Sequence, residues 1–466
     1  MTAKSQSKST SPVSTSKHLL LAERRAAGKA LRDKVPRASH GYWKPDSDRL
    51  DPIILLEESS QGRLPELVPI RYGRMLESPF AFLRGAAIVM AADLATTAAT
   101  GIKVQVCGDC HLVNFGGYGT PERNLVFDVN DFDETLPAPW EWDVKRLATS
   151  IIVAGRQIKT SAKNCEEAAL TAACSYREHL DEYAQMSPLD VWYSHIDAKF
   201  LLDFARSRKE QQDIERILKK AEKSTSAEVF PRLTEEVNGQ RRIKDHPPLV
   251  FHAPSDDPLE AEMLSVFHQY RETLRDDLRV LLDRYHLVDI AMKVVGVGSV
   301  GTRCAVALLI AEDDNPLFLQ IKQANAPVLE PYAGKSNYQN QGQRVVVGQH
   351  LMQAASDLFL GWTCSKSGHD FYLRQLRDMK TSIDIEDMSA SDLIGYSKLC
   401  GWALARAHAR SGDPVMISGY LGKSDMFEQA IAAFAVAYAD QTECDYEALV
   451  AAVKTGRLEA TKEKRQ

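Results

Sequence analysis

Residues 106–146 read VCGDCHLVNFGGYGTPERNLVFDVNDFDETLPAPWEWDVKR, and this stretch decides the fold class of the chain. Eight carboxylates, one histidine and three asparagines lie between its apolar runs. Asp109 is followed by Asn114 in a loop, and a later strand ends in Asp131 and Asp133. A magnesium-dependent phosphotransferase needs such groups to position a hydroxyl and to bind the metal. The stretch therefore predicts phosphoryl-transfer chemistry, provided that another part of the chain supplies a nucleotide-binding element.

Composition limits the classes of protein to consider. With 466 residues, 44% of them hydrophobic and 26% charged, the chain can bury a large core in two or three domains or lobes. Its net charge of -6 gives no global reason to expect nucleic acid or an anionic membrane as partner. Eight scattered cysteines lack the density of a secreted disulfide scaffold, and no N-terminal apolar segment is long enough for a signal peptide. We therefore expect a cytoplasmic protein without a membrane or nucleic-acid partner, and its oligomeric state stays open.

The loop after the predicted strand IKVQV carries the first candidate residues. Asp109 is expected to accept or orient the acceptor hydroxyl, and Asn114 to bind a metal ion from the same loop. Cys107 and Cys110 form a C-x-x-C of the kind used in zinc and redox sites. No second pair stands at ligand spacing, so we interpret the two cysteines as coincidental to the site.

The acidic cluster after the predicted strand NLVFDV supplies the second metal candidate. Asp131 is expected to join magnesium to the phosphates, because a hard divalent cation prefers carboxylate and amide oxygens. Asp128 and Asp133 remain rivals for this role. Asp143, at the start of the following helix, is expected to fix the catalytic loop by accepting its backbone N–H groups.

The nucleotide-binding element is predicted late in the chain, in residues 289–324. Gly296, Gly298 and Gly301 form G-x-G-x-x-G, and with Ser299 they would cover the phosphates without interference from a Cβ atom. A dinucleotide fold requires a helix after these glycines, whereas TRCAVALLIA, EDDNP and LFLQIKQA predict strand, turn and strand. Lys322 falls late in the last strand, where a kinase places the lysine that holds the α- and β-phosphates.

The carboxylate that holds Lys322 is not settled by the sequence. Glu330 is the first candidate, although it lies close to the lysine along the chain. The predicted helix QRVVVGQHLMQAASD, with Arg344 and Gln349, is the other candidate region. The strand FYLRQL then leads toward a connection between lobes, where adenine is expected against the backbone near residues 377–378.

A buried helix is predicted before the catalytic loop. Ser78 and Pro79 form its N-cap and first turn, and FAFLRGAAIVMAADLATTAA continues it. Arg84 in this helix, like Arg71 and Arg74 before it, must pair with a carboxylate or with a phosphate, because buried charges require partners.

The remaining segments predict helices. Long charged helices with solvated faces are expected in residues 159–286, and a helix with His408 near its end in residues 392–413. FEQAIAAFAVAYAD and YEALVAAV predict two last helices. The chain is thus divided into a disordered tail (1–17), a part of the large lobe with catalytic loop and metal site (18–158), a helical insertion (159–286), a small lobe with glycine loop and lysine (287–380) and the helical remainder of the large lobe (381–466).

These motifs resemble known families. GDCHLVNFG resembles the H-G-D-x-H-x-x-N loop of aminoglycoside and choline phosphotransferases, with Cys107 where those families usually have histidine. DFD is similar to their metal-binding aspartate, and LARAHARSGD to the helix before their catalytic loop. Residues 70–440 also resemble the uncharacterised bacterial family DUF2252, through SPFAFLRGAA, GDCHLVNFG, DFDET, PWEWDVKRLA and FLGW. The resemblance implies an α+β, protein-kinase-like fold of two lobes that binds ATP and Mg²⁺.

The order of the motifs differs from that of ordinary kinases, in which the glycine loop and lysine come first. Here Asp109 precedes Lys322, and a circular permutation reconciles the two orders, because a site depends on geometry and not on chain order. Permutation predicts that the helix ending near His408 packs beside the loop at Asp109. We expect an ATP- and magnesium-dependent phosphotransferase acting on a hydroxyl of a small molecule or protein. An adenylyl-transferring enzyme and a non-catalytic nucleotide-binding scaffold are the alternatives.

Overall fold

The protein is a mixed α+β structure with antiparallel sheets. The computed structural model describes residues 19–203, 208–254, 258–376, 379–381 and 384–462. The tail predicted at 1–17 and the adenine contact expected at 377–378 lie outside these residues. Within them, no helix combines the length and the apolar character that crossing a bilayer requires.

Helices form most of the structure. They are α1 (Leu21–Ala30), α2 (Pro52–Glu58), α3 (Val68–Met75), α4 (Pro79–Gly85), α5 (Ala87–Leu94), α6 (Trp140–Gln157), α7 (Ala162–Tyr183), α8 (Pro188–Tyr193), α9 (Ala198–Asp203), α10 (Arg208–Glu222), α11 (Ser226–Leu233), α12 (Pro258–Thr273), α13 (Asp276–Leu282), α14 (Glu330–Ala333), α15 (Gln341–Met352), α16 (Ala390–Ser411), α17 (Pro414–Leu421) and α18 (Met426–Lys454).

The strands are short except in one sheet. They are β1 (Lys103–Val106), β2 (Phe115–Gly119), β3 (Leu125–Val129), β4 (Leu136–Pro139), β5 (Ile196–Asp197), β6 (Thr234–Val237), β7 (Gln240–Ile243), β8 (Val250–Phe251), β9 (His286–Lys293), β10 (Cys304–Ala311), β11 (Asn315–Ala324), β12 (Gly361–Cys364) and β13 (Asp370–Gln375). A six-stranded sheet has the order β12-β13-β11-β10-β9-β8, a three-stranded sheet the order β2-β3-β5, and β1-β4 and β6-β7 are pairs.

The largest hydrophobic core joins α6, α7, α16 and α18 to strands β1, β2 and β3. Helix α6 is buried from Trp140 to Gly155, because other helices cover it on several sides. The charged side chains of this helix must therefore find partners inside the protein. A second core lies between one face of the six-stranded sheet and α12.

The helices of two regions differ from the prediction. The segment after Ser78 forms two helices, since the backbone at Ala86 leaves the helical region (φ -112, ψ 37) between α4 and α5. The predicted cap is present, with the Ser78 hydroxyl accepting from the Ala81 N–H at 3.1 Å. The two helices predicted at the C-terminal end form the single helix α18, because no glycine or proline interrupts them.

The segment predicted as a helical insertion also contains strands. Asn238 and Gly239 both have positive φ (54 and 79), and they turn β6 into β7 as a two-residue hairpin. The side chains of Val229 and Phe230 in α11 pack with Phe318 of β11. This part of the insertion, which lies between the predicted charged helices, therefore contains a further helix that covers the sheet.

The loop between β9 and β10, which carries the glycines, is bound to the N-terminal part of the chain. The Leu64 N–H donates to the Gly301 carbonyl at 2.7 Å, and Arg63 Nη1 donates to the Val300 carbonyl at 2.5 Å. Gly301 has φ +87, a conformation that favours glycine. The glycine loop is thus held from outside by the segment between α2 and α3.

Candidate functional site

One cavity of about 440 Å³ lies between the six-stranded sheet and the loop that follows β1. The predicted site residues that line it are Asp109, Asn114, Asp131, Gly296, Gly298, Ser299 and Lys322. Two predicted residues, Gly301 and Glu330, do not belong to its lining. The cavity therefore brings together groups that lie more than a hundred residues apart in the sequence.

Helices α6 and α16 position the catalytic loop. The Asp143 carboxylate of α6 accepts from the N–H groups of Cys107 at 2.8 Å and Gly108 at 3.1 Å, which confirms its predicted role. His408 of α16 lies with Nε2 3.3 Å from Asp143 Oδ2. The end of α16 packs beside the loop at Asp109, as the permuted order predicted. Gly108 has φ +82, so the loop turns sharply where these bonds form.

Asp109 is held on one side by a buried arginine. Arg146 Nε donates to Asp109 Oδ1 at 2.6 Å, and Arg146 Nη2 also donates to the Leu83 carbonyl at 2.9 Å. Asp109 Oδ2 lies 3.8 Å from His111 Nε2. Burial lowers the pKa of His111 to about 4, so this imidazole is neutral at pH 7. Arg146 thus fixes the orientation of the carboxylate and leaves its second oxygen toward the cavity.

Asn114 is oriented by bonds from its amide nitrogen. Nδ2 donates to the backbone carbonyls of Asp109 at 3.0 Å and Asp131 at 3.3 Å. Since the nitrogen is committed to these carbonyls, the side-chain oxygen is the atom that Asn114 offers as a metal ligand.

The structure separates the roles of two rival aspartates. Asp128 is fully buried; its Oδ2 contacts Arg406 Nη2 at 2.5 Å and accepts from the Ala354 N–H at 2.9 Å. Asp131 lines the cavity, and its side chain is 43% exposed. Asp128 therefore joins β3 to α16, and Asp131 remains available to a ligand.

Both carboxylate oxygens of Asp133 are bonded to neighbouring side chains. Its Oδ2 forms an ion pair with Lys322 and accepts from Ser299 Oγ at 2.9 Å, and its Oδ1 accepts from the Tyr372 hydroxyl at 2.8 Å. This carboxylate links the glycine loop, β11 and β13. Of the three acidic candidates, Asp131 is therefore the one whose carboxylate is least committed to protein partners.

Lys322 and the basic residues around it keep Asp131 ionised. Burial by itself raises the pKa of Asp131, but Lys322 and then Arg374 act in the opposite direction, and the net result is a lowered pKa. The Lys322 Nζ atom lies 3.8 Å from Asp131 Oδ2. The site thus presents a carboxylate in the form that a divalent cation binds.

The predicted partner of Lys322 is wrong. Glu330 instead accepts from the Ser336 N–H at 3.1 Å, while Asp133 pairs with Lys322 across 189 residues. In the other candidate region, helix α15 contains no carboxylate, and Asp357 after the helix accepts from the N–H groups of Phe359 and Gln375. Arg344 of α15 donates to the Asp133 carbonyl at 2.8 Å. The prediction of Glu330 failed because the actual partner, Asp133, precedes Lys322 in the chain and was predicted only as a rival metal ligand.

The arginines Arg71, Arg74 and Arg84 have different surroundings in the structure. Arg71 donates to the hydroxyls of Ser59 at 2.9 Å and Ser60 at 2.7 Å, and to the Gly85 carbonyl. Arg74 donates to the carbonyl of Val295 at the start of the glycine loop. Arg84 lines the cavity, and burial lowers its pKa even though the Asp109 charge acts to raise it. Arg84 is therefore a candidate contact for an anionic ligand.

Positive charge exceeds negative charge in the cavity lining, although the whole chain carries -6. Seven basic residues line the cavity, namely Arg63, Arg71, Arg84, Lys293, Lys322, Arg374 and Lys380, against five acidic residues, namely Asp109, Asp131, Asp133, Glu134 and Asp357. Such a local surplus favours an anionic ligand. Sequence analysis missed Arg374 and Lys380, for which the only available signal was their position at the end of the strand FYLRQL.

The C-x-x-C is a structural element of the loop. Cys107, Cys110 and Asp143 are buried, and their ligand atoms lie within 4.8 Å of one another. Burial raises the pKa of both thiols, that of Cys110 to about 11, so they are protonated at pH 7. The Asp143 carboxylate is already bonded to the loop backbone. These groups pack and orient the loop.

Comparison with known proteins gives one match. The model of a family described as an uncharacterised protein conserved in bacteria, DUF2252, matches residues 63–452. No curated protein and no solved structure matches the chain. The matched range contains every residue that lines the cavity except Ser59. The chain belongs to the bacterial DUF2252 family.

Proposed function

We propose that the protein is an ATP- and magnesium-dependent transferase that moves a phosphorus group of the nucleotide onto a hydroxyl of a small molecule or protein. One observation carries the proposal: Asp109, Asn114, Asp131, Lys322 and the glycine loop line one cavity. Groups for a hydroxyl, a metal and phosphates are needed together for this chemistry.

Each residue has a role that its surroundings support. Asp109 Oδ2 positions the acceptor hydroxyl and takes its proton, while Arg146 holds the other oxygen. Lys322 binds phosphate oxygens, and the backbone of Gly296 and Gly298 contacts the nucleotide. Tight tertiary contacts hold these groups in place before the substrate arrives, which lowers the cost of orienting it.

The donor set fits magnesium. The Asn114 side-chain oxygen and the Asp131 carboxylate are hard oxygen ligands, and the nitrogen of Asn114 is used elsewhere. Bound magnesium supplies positive charge that neutralises the phosphates.

A kinase-like arrangement of two lobes with permuted order is part of the proposal. The order β9, glycine loop, β10, β11 and then α15 supports the small lobe. The packing of α16 against the loop at Gly108 supports the permutation. The pairing of Lys322 with Asp133 and the bond from the Cys107 N–H to Asp143 hold both parts of the site in place, which favours an enzyme over a non-catalytic scaffold.

The transferred group depends on the direction in which the nucleotide lies. Phosphoryl transfer, the reaction predicted from the sequence, requires the γ-phosphate at Asp109. Adenylyl transfer requires the α-phosphate there, with the rest of the triphosphate pointing away. Both reactions use the same residues, and the other end of the cavity decides between them.

A thermal shift experiment tests the proposal. ATP with magnesium should raise the unfolding temperature of the wild-type protein, because a ligand that binds only the folded state stabilises it. Asp131→Ala should lose the part of the shift that depends on magnesium, together with magnesium-dependent turnover, and should keep the fold. Asp276→Ala, at an aspartate whose side chain is 94% exposed, is the matched control and should behave like the wild type. No shift of the wild type at saturating nucleotide would overturn the proposal.

A further inference from the structure

The hinge end of the cavity, formed by Gln320, Arg374, Lys380 and Thr381, differs chemically from an adenine site. Side chains alternate between the faces of a strand, so Lys322, Gln320 and Phe318 point to the same face of β11. Arg374 stands opposite Gln320 in the register of β13, and its Nε donates to Gln320 Oε1 at 3.1 Å. The sheet surface next to Lys322 is thus polar and cationic where a base would need apolar contact.

The apolar part of this sheet face is already covered. Val306, Leu308 and Phe318 lie in one cluster with Val229 and Phe230 of α11. The rings of Phe230 and Phe318 have centroids 6.4 Å apart. The Leu376 N–H donates to the Phe318 carbonyl at 2.9 Å, so the connection after β13 begins beside this covered surface. The insertion therefore occupies the position that would receive a base near the connection.

The described backbone of the connection also forms hydrogen bonds within the protein. The Thr381 N–H donates to the Gly117 carbonyl at 2.8 Å, and the Thr381 hydroxyl accepts from the Gly117 N–H at 2.8 Å. The Met379 N–H donates to the Ser224 carbonyl at 2.9 Å. A Cβ atom at Gly116 would lie 2.5 Å from the Thr381 carbonyl oxygen, so the connection lies directly on β2. In residues 379–381, these two N–H groups are not free to bind adenine.

Cations fill the hinge end instead. Lys293 and Lys322 flank Cys304 in neighbouring strands, and Arg374 and Lys380 line the same cavity. Burial and, next, repulsion from Arg374 lower the pKa of Lys380. The Lys380 side chain is exposed to the cavity. Water therefore weakens the effect of burial on its pKa, and repulsion from Arg374 is the more relevant cause. Among the described residues, Lys380 has no carboxylate partner.

Asp357 also lines the cavity, and its oxygens accept from the N–H groups of Phe359, at 2.8 Å, and Gln375. Ile88 of α5 and Val297 of the glycine loop lie in one apolar cluster and line the cavity, and Phe115 of β2 and Leu376 after β13 line it as well. The Cβ position of Gly298, next to Val297, is 3.4 Å from the Arg84 carbonyl.

We propose that the hinge end binds the β- and γ-phosphates of ATP, that adenosine lies toward the glycine loop and α5, and that the protein transfers an adenylyl group. The inference rests on the proposed nucleotide-dependent function and assigns the direction of the nucleotide. Phosphate anions would pair with Arg374 and Lys380 at this end, whereas a neutral base would give these two cations no anionic ligand.

The reaction balances without a further reagent. The acceptor oxygen forms a bond to the α-phosphorus, and the bond from that phosphorus to the oxygen bridging to the β-phosphate breaks. Pyrophosphate leaves with the electron pair and is held by Arg374 and Lys380. The hydroxyl proton passes to Asp109. The products are an adenylated acceptor and pyrophosphate.

Affinity measurements on Lys380→Met test the direction of the nucleotide. Titration calorimetry with magnesium should show ATP binding weakened about ten-fold or more, the scale of a lost charge-assisted bond, with AMP binding unchanged within about two-fold. Lys366→Met, at an exposed lysine between β12 and β13, is the control and should change neither. Equal losses for ATP and AMP, or no loss for either, would overturn the inference. Failure of the wild type to bind ATP would instead overturn the proposed function, and the inference with it.

Product analysis gives an independent test, with water as the acceptor. Wild-type protein incubated with ATP and magnesium should release AMP and pyrophosphate, identified by chromatography. Release of ADP and phosphate would contradict the inference and leave the proposed function intact. Asp131→Ala should release neither pair of products above background.

Discussion

The two ends of the cavity are built in different ways. The transfer end, with Asp109, Asn114 and Asp131, comes from one continuous stretch that α6 and α16 hold by backbone bonds. The hinge end is assembled from two strands, a connection and an inserted helix, and Arg374 and Lys380 supply its charge. In the proposed function, the transfer end would supply the groups for the hydroxyl and the metal, and the hinge end would determine which phosphate reaches them. Four substitutions test this division of roles.

Asp109→Asn should have the largest effect. Turnover of magnesium ATP should fall by about 10²–10⁴-fold, the range for loss of a general base. Nucleotide affinity should change by less than about two-fold, because the amide keeps one acceptor oxygen for Arg146. Steady-state kinetics and calorimetry measure the two quantities. A loss of affinity as large as the loss of turnover would place Asp109 in nucleotide binding.

Phe230→Ala tests the covered surface at the hinge end. Removing this buried ring should lower the free energy of unfolding by about 3–5 kcal/mol, measured by chemical denaturation. Affinity for adenosine should stay unchanged, because the base lies at the other end. Val280→Ala, at a side chain 62% exposed, should cost less than about 0.5 kcal/mol. Tighter binding of adenosine to the Phe230 variant would show that the base belongs at the hinge end.

Gly298→Ala should weaken ATP binding by about ten-fold, a loss of roughly 1.4 kcal/mol. The added Cβ would lie 4.0 Å from Asp109 Oδ2 and 3.4 Å from the Arg84 carbonyl, so it intrudes where the loop faces the transfer end. Val280→Ala, at a side chain that is 62% exposed and does not line the cavity, is the control. Calorimetry with magnesium ATP compares them. Equal affinities would remove Gly298 from the nucleotide contacts.

Glu134→Gln should have the smallest effect, visible in the pH dependence of stability. Burial raises the pKa of Glu134 from 4.5 to about 7. A raised folded-state pKa contributes stability that is present below 4.5 and is lost as the pH rises through about 7. The variant should therefore gain unfolding temperature relative to the wild type between pH 5 and pH 8. If the unfolding temperatures of the two proteins changed in parallel with pH across that window, the raised pKa of Glu134 would not be the cause.

Sequence patterns identified residues that line one cavity at the transfer end, because these residues are close together along the chain. Asp109, Asn114 and Asp131 stand in one loop and strand, and Asp143 follows in the next helix. The partner of Lys322 could not be found in this way, since β11 meets Asp133 only through tertiary packing. The α+β class, which the resemblance to phosphotransferases implied, is confirmed.

The hinge end was not predictable from the same patterns. Gln320 and Arg374 become neighbours through strand register, and nothing local in either strand indicates the pairing. The packing of Phe230 against Phe318 depends on the path of the insertion across the sheet. The charged helices of the insertion are predicted to be solvated because charge patterning indicates which face of a helix is exposed. Charge patterning does not indicate which distant part of the protein the apolar face of the same helix covers.

The bonds from Arg63 and Leu64 to the glycine loop have a consequence for exchange of the bound nucleotide. Lifting the loop away from the site would break both of these bonds and separate Val297 from the apolar cluster that includes α2 and α18. In the proposed function, product release would therefore be coupled to the segment between α2 and α3. A molecule bound to this outer segment would then change the rate of turnover without entering the cavity.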